Sequence, residues 1–246
     1  MKKYKMLALD IDGTILNDQK NITDNTKKWI IKAIDTGIIV VFSTGRGMQT
    51  VYEILEELKI STPLVLVNGS DIRVDPNKIL CRKFLKNKDI KLLHYIANKY
   101  ETQFWGYNTE GKIYINDWNN TVLKNNWLKF GIKHEDILLI DRIREELKKH
   151  NRWEIARSAP NNIEISPIGI TKSKGVQKLC EHFEVKIDEV MAVGDSYNDF
   201  HLIKDAGMGI AMGNAEKVVK EIADYHTNDN NNEGVSNVIK NILLNC

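Results

Sequence analysis

Hydrophobic residues in the first third of the chain fall into short apolar runs separated by amphipathic stretches. Tyr4 to Leu9 is one such run, closed by the polar turn Asp10 to Thr14, which predicts a buried parallel strand. A helix should follow: Thr23 or Asp24 can cap it, Trp29, Ile30, Ala33 and Ile34 share one face, and Gly37 supplies the stop. Ile38 to Phe42 reads as a second strand. Val51, Ile54, Leu55 and Leu58 then repeat at helical spacing, and Leu64 to Val67 makes a third strand. Strand, helix, strand, helix, strand is the order of right-handed crossovers, hence of a parallel sheet with helices on its faces.

The same rhythm returns in the last third. A helix carrying Val176, Leu179, Cys180 and Phe183 precedes a strand at Val190 to Val193, a helix around Leu202 and Ile203, and a strand at Met208 to Met212. Two helices close the chain, one bearing Val218, Val219 and Ile222, the other Val235, Val238, Ile239, Ile242 and Leu243, with the polar loop Thr227 to Glu233 between them. From about Cys81 to Gly169 the texture is alternation instead: Phe104, Trp105 and Tyr107, then Ile113, Tyr114 and Ile115, later Trp153, Ile155 and Ala156, then Ile163 and Ile165. These read as antiparallel strands with helices between them. The expected fold is therefore α/β: a Rossmann-like, doubly wound parallel sheet from residues 1–81 and 169–246, with an α+β module inserted at 82–168.

Charge narrows the function. The 246 residues carry 35 Lys and Arg against 33 Asp and Glu, a formal net charge of +2, which argues against a dedicated nucleic-acid or membrane-surface binder. No apolar run approaches the roughly 18 residues of a membrane helix. Asp10 and Asp12 interrupt the N-terminal apolar stretch too soon for a secretory leader, so a cytoplasmic protein is expected. Cys81, Cys180 and Cys246 match no metal or redox spacing; the first two read as small buried apolar residues.

In an open parallel sheet, ligands bind beyond the carboxyl ends of the strands. The loops there are Asp10-Ile11-Asp12-Gly13-Thr14, Ser43-Thr44-Gly45-Arg46, Asn68-Gly69-Ser70, Gly194-Asp195-Ser196-Tyr197-Asn198-Asp199 and Gly213-Asn214-Ala215. Any one of them is ordinary turn chemistry. Together they bring Asp10, Asp12, Asp195 and Asp199 to one sheet edge, where carboxylates repel unless a cation neutralises them. An all-oxygen donor set without Cys or His favours Mg²⁺, which typically completes its shell with water and substrate phosphate.

Asp10-x-Asp12-Gly13-Thr14 after the first strand, Thr44-Gly45-Arg46 after the second, a Lys174-Gly175 pair opening a helix, and Gly194-Asp195-x-x-Asn198-Asp199 carry a resemblance over essentially the whole chain. In this combination the sequence resembles a haloacid dehalogenase superfamily phosphohydrolase of the Cof-like, type IIB group, with an α/β cap between the halves of its core. The resemblance implies a Mg²⁺-dependent phosphatase for small phosphorylated metabolites, with sugar phosphates expected. Asp10 would be the nucleophile forming an aspartyl-phosphate, and Asp12 the general acid and then base. Thr44 and Lys174 would hold the phosphoryl oxygens. Lys172 stands two residues away in Gly169-Ile170-Thr171-Lys172-Ser173-Lys174-Gly175; Lys174 is preferred because the family's lysine precedes a glycine at the helix start. Asp10, Asp195 and the backbone carbonyl of Asp12 would ligate the metal, with Asp199 acting through water or through Asn198 and the backbone. Gly45 and Asn198 would contact substrate, Arg46 would either reach the phosphate or the cap or brace its own loop, and Asn68 would position substrate or loops. Trp105, Tyr107, Arg142, Arg144, Arg152 and Arg157 are the cap residues from which specificity could come. Rival readings are a phosphomutase of the same superfamily and a non-catalytic metabolite-binding regulator, acting in either case as a monomer or small homo-oligomer.

Overall fold

A computed structural model describes residues 4–114 and 126–245. Ile115 and Cys246, both read from sequence, lie outside the described residues. No helix among those described is long and apolar enough to cross a membrane.

The larger sheet has eight strands. β1 (Met6–Leu9), β2 (Ile39–Ser43) and β3 (Leu64–Leu66) come from the first part of the chain, with β4 (Asp71–Asp75) and β5 (Lys78–Arg82) as an antiparallel hairpin at one edge. β11 (Val190–Gly194), β12 (Met208–Ala211) and the two-residue β13 (Tyr225–His226) complete it, in the order β13-β12-β11-β1-β2-β3-β4-β5. The six strands other than the hairpin are parallel to one another. This is the expected α/β core, doubly wound about β1.

Strand alternation divides the core into two apolar layers. Leu7 and Leu9 join Trp29, Ile30 and Ala33 of α1 (Asp24–Asp35) and Val51, Ile54, Leu55 and Leu58 of α2 (Met48–Leu58) on one face. Met6 and Ala8 join Val176, Leu179 and Cys180 of α5 (Lys172–Phe183) and Leu202 of α6 (Phe200–Asp205) on the other. Thr23 caps α1, its hydroxyl accepting from the Thr26 N–H at 3.1 Å. The helix expected around Val218 to Ile222 is only α7 (Lys217–Lys220), because the chain turns at once into β13. The last helix is α8 (Gly234–Val238), continued by a π-helical turn at Ile239–Leu243.

A second, five-stranded antiparallel sheet carries β6 (Gln103–Asn108), β7 (Lys112–Tyr114), β8 (Trp127–Lys133), β9 (Trp153–Ala156) and β10 (Asn162–Pro167), ordered β7-β6-β8-β10-β9. Its Phe104, Phe130, Ile132, Ile163 and Ile165 pack under α3 (Asn87–Lys99) and α4 (Ile137–Lys149). The opposite face looks onto the carboxyl ends of the core strands. β8 was not evident from the pattern. Six of its seven residues are buried, and Lys129 and Gly131 occupy alternate positions where apolar residues would have announced a strand. Cys180 is buried as expected, whereas Cys81 on the edge strand β5 is only partly so.

Candidate active site

Asp10 is the next residue after β1 and extends its ladder, its N–H donating to Val193 O at 3.0 Å. By the two-residue period it falls on the side of Met6 and Ala8, where α5 packs. The first residue of that helix is Lys172, following the N-cap Thr171. Its ammonium bridges Asp10 Oδ1 and Asp199 Oδ1, each at 2.7 Å, and all three side chains are at most 5% exposed.

This overturns the choice of Lys174. Lys174 lies on the exposed side of α5 and donates to Gln177 Oε1 at 3.0 Å. Helical geometry is the reason. Lys172 precedes Val176 by four residues and so continues the buried stripe of Val176, Leu179 and Cys180, while Lys174, two residues from Val176, is turned about 200° away. Extending that stripe backwards would have found Lys172 in the sequence.

Asp195 and Asp199 follow β11. Asp199 Oδ2 accepts from the N–H groups of Asp195 and Ser196, both at 3.2 Å, which fixes the turn. Asp195 Oδ1 accepts from Thr14 Oγ1 at 3.2 Å. Gly13 is required beside it: its φ is +77°, and a Cβ there would stand 2.5 Å from Asp195 Oδ2. Asp10, Asp195 and Asp199 each present an oxygen within 4.8 Å of the others. Burial, then the opposing pull of Lys172 and the push of Asp199, leaves the Asp10 pKa raised to about 7. Burial together with the charges of Asp10 and Asp199 raises Asp195 to about 9. Carboxylates this reluctant to ionise together suit a site built around a divalent cation, and the donors are all oxygen. Asp199 already has both oxygens engaged, so Asp10 and Asp195 are the carboxylates with capacity to spare.

The Asp12 carboxylate does not join that cluster. It is held bidentately by Arg46, Nε to Oδ2 and Nη2 to Oδ1 at 2.7 Å each, with Lys20 Nζ 3.3 Å from Oδ1. Burial opposes its charge, but Arg46 and Lys20 outweigh burial and hold the carboxyl below its ordinary range. Thr44 is buried; its hydroxyl accepts from the Arg46 N–H at 3.1 Å. The turn after β3 places Val67, Asn68 and Gly69 at φ of 52°, 57° and 103° in succession. A β-branched residue rarely adopts such a φ. It is stabilised here because Val67 N–H donates to Arg46 O at 2.9 Å and Asn68 N–H to Thr44 O at 3.0 Å.

Asp10, Asp12, Thr44, Gly45, Arg46, Asp195 and Asn198 all line one cavity of about 590 Å³ between the two sheets. Of the named cap candidates, Trp105 and Tyr107 line it too. The others do not: Arg144 pairs with Asp141 on α4, Arg152 pairs with Asp89 in the first turn of α3, and Arg157 pairs with Glu216 at 2.9 Å. Arg142, also on α4, is likewise absent from the cavity lining.

Two wall residues had no signal in the sequence, Lys129 of β8 and Glu164 of β10. Lys129 Nζ lies 3.1 Å from Glu164 Oε2 and donates to Gly45 O at 2.9 Å, while Asn68 Nδ2 donates to Glu164 Oε2 at 2.6 Å. Burial lowers the Lys129 pKa; for Glu164, Lys129 and Asn68 outweigh burial and lower it.

The model of the haloacid dehalogenase-like hydrolase family matches residues 7–136 and 113–239. The chain is 40% identical over 240 residues to the 5-amino-6-(5-phospho-D-ribitylamino)uracil phosphatase YcsE of Bacillus subtilis (strain 168), covering 98% of this chain and 96% of that protein. It is 28% identical over 266 residues to YitU of the same organism, which carries the same activity name, covering 97% of each. A solved haloacid dehalogenase-like hydrolase from B. subtilis superposes with a TM-score of 0.89 at 23% identity, covering 97% of this chain and 100% of that one.

Proposed function

The chain belongs to the haloacid dehalogenase-like hydrolases and is a phosphatase of their Cof-like group, and we propose that it hydrolyses phosphomonoesters of small polyhydroxylated metabolites through an aspartyl-phosphate on Asp10. The observation that carries this reading is the Lys172 ammonium set between Asp10 and Asp199 beside Asp195, with Asp10 and Asp195 lining a cavity large enough for a phosphorylated metabolite.

Asp10 and Asp195, with the Asp12 backbone carbonyl that the family resemblance implies, would hold Mg²⁺. When bound, that ion neutralises the clustered carboxylates and the charge on the transferring phosphoryl group. Asp10 attacks phosphorus through one carboxylate oxygen as the bond from phosphorus to the leaving alcohol oxygen breaks, while Lys172 holds the other carboxylate oxygen and keeps Asp10 ionised and oriented. Thr44 and the N–H groups of its loop receive the phosphoryl oxygens. Asp12, ionised against Arg46 in this arrangement, is ready to accept the proton of the hydrolytic water. Its earlier service as proton donor to the leaving alcohol requires Arg46 to turn toward the bound phosphoryl group.

The substrate we propose first is 5-amino-6-(5-phospho-D-ribitylamino)uracil, named for two of the relatives, with simple sugar and polyol phosphates as the wider class. Phosphate release from a panel holding that compound, sugar phosphates and an aryl phosphate, with Mg²⁺ present and Asp10→Asn as the blank, tests the reading. Turnover by the wild type alone is expected. An inert wild type, or an active Asp10→Asn enzyme, overturns it, and a requirement for a bisphosphate activator with no net phosphate release would identify a mutase.

A further inference from the structure

Among the described residues, Lys129 and Glu164 are the buried charged side chains of the second sheet, with side-chain exposures of 2% and 7%. Taking two ions out of water costs several kcal/mol each, and a well-packed apolar pair commonly serves a fold as well or better. Packing alone therefore does not account for them. Both line the cavity, and both reach across to the catalytic loops. Lys129 donates to the carbonyl of Gly45, between Thr44 and Arg46, and Glu164 accepts from Asn68. The pair packs directly on this loop: a Cβ on Gly45 would stand at ordinary contact distance, 3.5 Å, from Glu164 Oε2 and Lys129 Nζ, and a tighter 3.1 Å from Asn68 Oδ1.

Neither hydrogen-bonding capacity is exhausted. An ammonium has three N–H groups; Gly45 O and Glu164 Oε2 take two, and Nζ also lies 5.0 Å from the centroid of the Trp105 ring, while no oxygen among the described residues takes the third. Glu164 Oε1 accepts only from Ser158 Oγ, at 3.3 Å, although a carboxylate oxygen can take two donors. Ser158 and Asn162 continue the same wall. The pair as a whole is neutral, so it presents a donor beside an acceptor rather than a charge. A hydroxylated chain complements that donor and acceptor; an apolar chain does not.

We infer that Lys129 and Glu164 form a hydroxyl-reading pair, in which Lys129 Nζ donates to one hydroxyl of the leaving alcohol and Glu164 accepts from a hydroxyl next to the ester. Lys129 is then a specificity-determining residue supplied by the cap, and Glu164 both contacts substrate and positions Lys129. The inference rests on the phosphatase reading above.

The test compares ribitol 5-phosphate with n-pentyl phosphate, two five-carbon esters that differ only in their hydroxyl groups, in the Mg²⁺-loaded wild type and in Lys129→Met/Glu164→Gln. The paired substitution leaves no unpartnered buried charge. The wild type should prefer the polyol ester, and the variant should lose at least tenfold of that preference, read as the ratio of the two kcat/KM values. An unchanged preference, or an equal fall for both esters, overturns the assignment. A wild type inert toward both, and toward the aryl phosphate, sinks the phosphatase reading instead. Should the variant fail to fold, a crystal structure of Asp10→Asn with ribitol 5-phosphate decides: a hydroxyl within hydrogen-bond reach of Lys129 Nζ supports the pair, and a chain bound elsewhere in the cavity overturns it.

Discussion

Replacing Lys172 with Met keeps the length and apolar bulk of the stem and deletes only the ammonium. In the wild type that ammonium lies 2.7 Å from Asp10 Oδ1 and 2.7 Å from Asp199 Oδ1, and its side chain has no exposed surface. At an effective dielectric of about 20, each contact corresponds to ~6 kcal/mol of Coulomb attraction. Much of that offsets the desolvation of three ionic groups, so the net loss expected is the roughly 3–5 kcal/mol seen when one partner of a buried pair is removed. The loss should depend on pH. Asp10, already raised to about 7, moves higher without the cation and protonates, so the destabilisation is smaller at pH 5 than at pH 8. Urea unfolding in the presence of a chelator at those two pH values measures it, alongside Mg²⁺-supported phosphate release, in which kcat should drop about 10²- to 10³-fold. Lys174→Met is the matched control, since that side chain is exposed and donates only to Gln177. Its stability should change by no more than about 0.5 kcal/mol and its activity by less than twofold. A Lys172→Met protein within about 1 kcal/mol of wild type and near-normal in kcat would refute the electrostatic role assigned to Lys172.

Other outcomes follow from the same geometry. Asp10 and Asp195 have folded-state pKa values of about 7 and about 9, above the ordinary carboxylate value, so the folded protein keeps protons that the unfolded chain has released. Metal-free protein should therefore lose stability as pH rises from about 5 to 9, with Mg²⁺ abolishing the slope; thermal unfolding with chelator or with millimolar Mg²⁺ reads both, and a flat metal-free profile contradicts the cluster's electrostatics. Arg46→Gln removes the pair that depresses Asp12, so the acidic limb of the kcat profile should move to higher pH. Because Asp12 is 45% exposed, stability should fall by less than about 1 kcal/mol. Gly13→Ala forces a Cβ against Asp195 and a side chain into φ of +77°, so Mg²⁺ affinity should fall at least tenfold, as read by titration of activity against Mg²⁺.

The polypeptide announces its core because the relevant signals are local. An apolar strand followed at once by acid, as in Met6 to Asp12 or Val190 to Asp195, is visible within about seven residues, and parallel topology sends each such loop to the same edge. Thr44 and Arg46 are legible for the same reason. Where a reading went astray, the missing information was periodic or non-local. Lys172 and Lys174 look alike in a string of residues; only the phase of α5 against Met6 and Ala8 buries one and solvates the other. The edge hairpin of β4 and β5 is hard to read for another reason: β5 is largely exposed and has no clean alternation, and although Asp71 to Asp75 alternates, the polar residues Asp71 and Arg73 are buried as an ion pair that only the fold creates.

Sequence alone thus determined the doubly wound core, the strand-end acids and the chemistry to which they point, because each depends on residues within one turn or one strand of each other. Tertiary structure alone decided which lysine faces Asp10, that Asp12 pairs with Arg46, and that Lys129 and Glu164 complete the wall. Those contacts join Gly45 to Lys129 across 84 positions and Asn68 to Glu164 across 96. No local pattern encodes a separation of that size. It arises only when two independently packed sheets meet and a buried charge must find its partner wherever the chain has brought one.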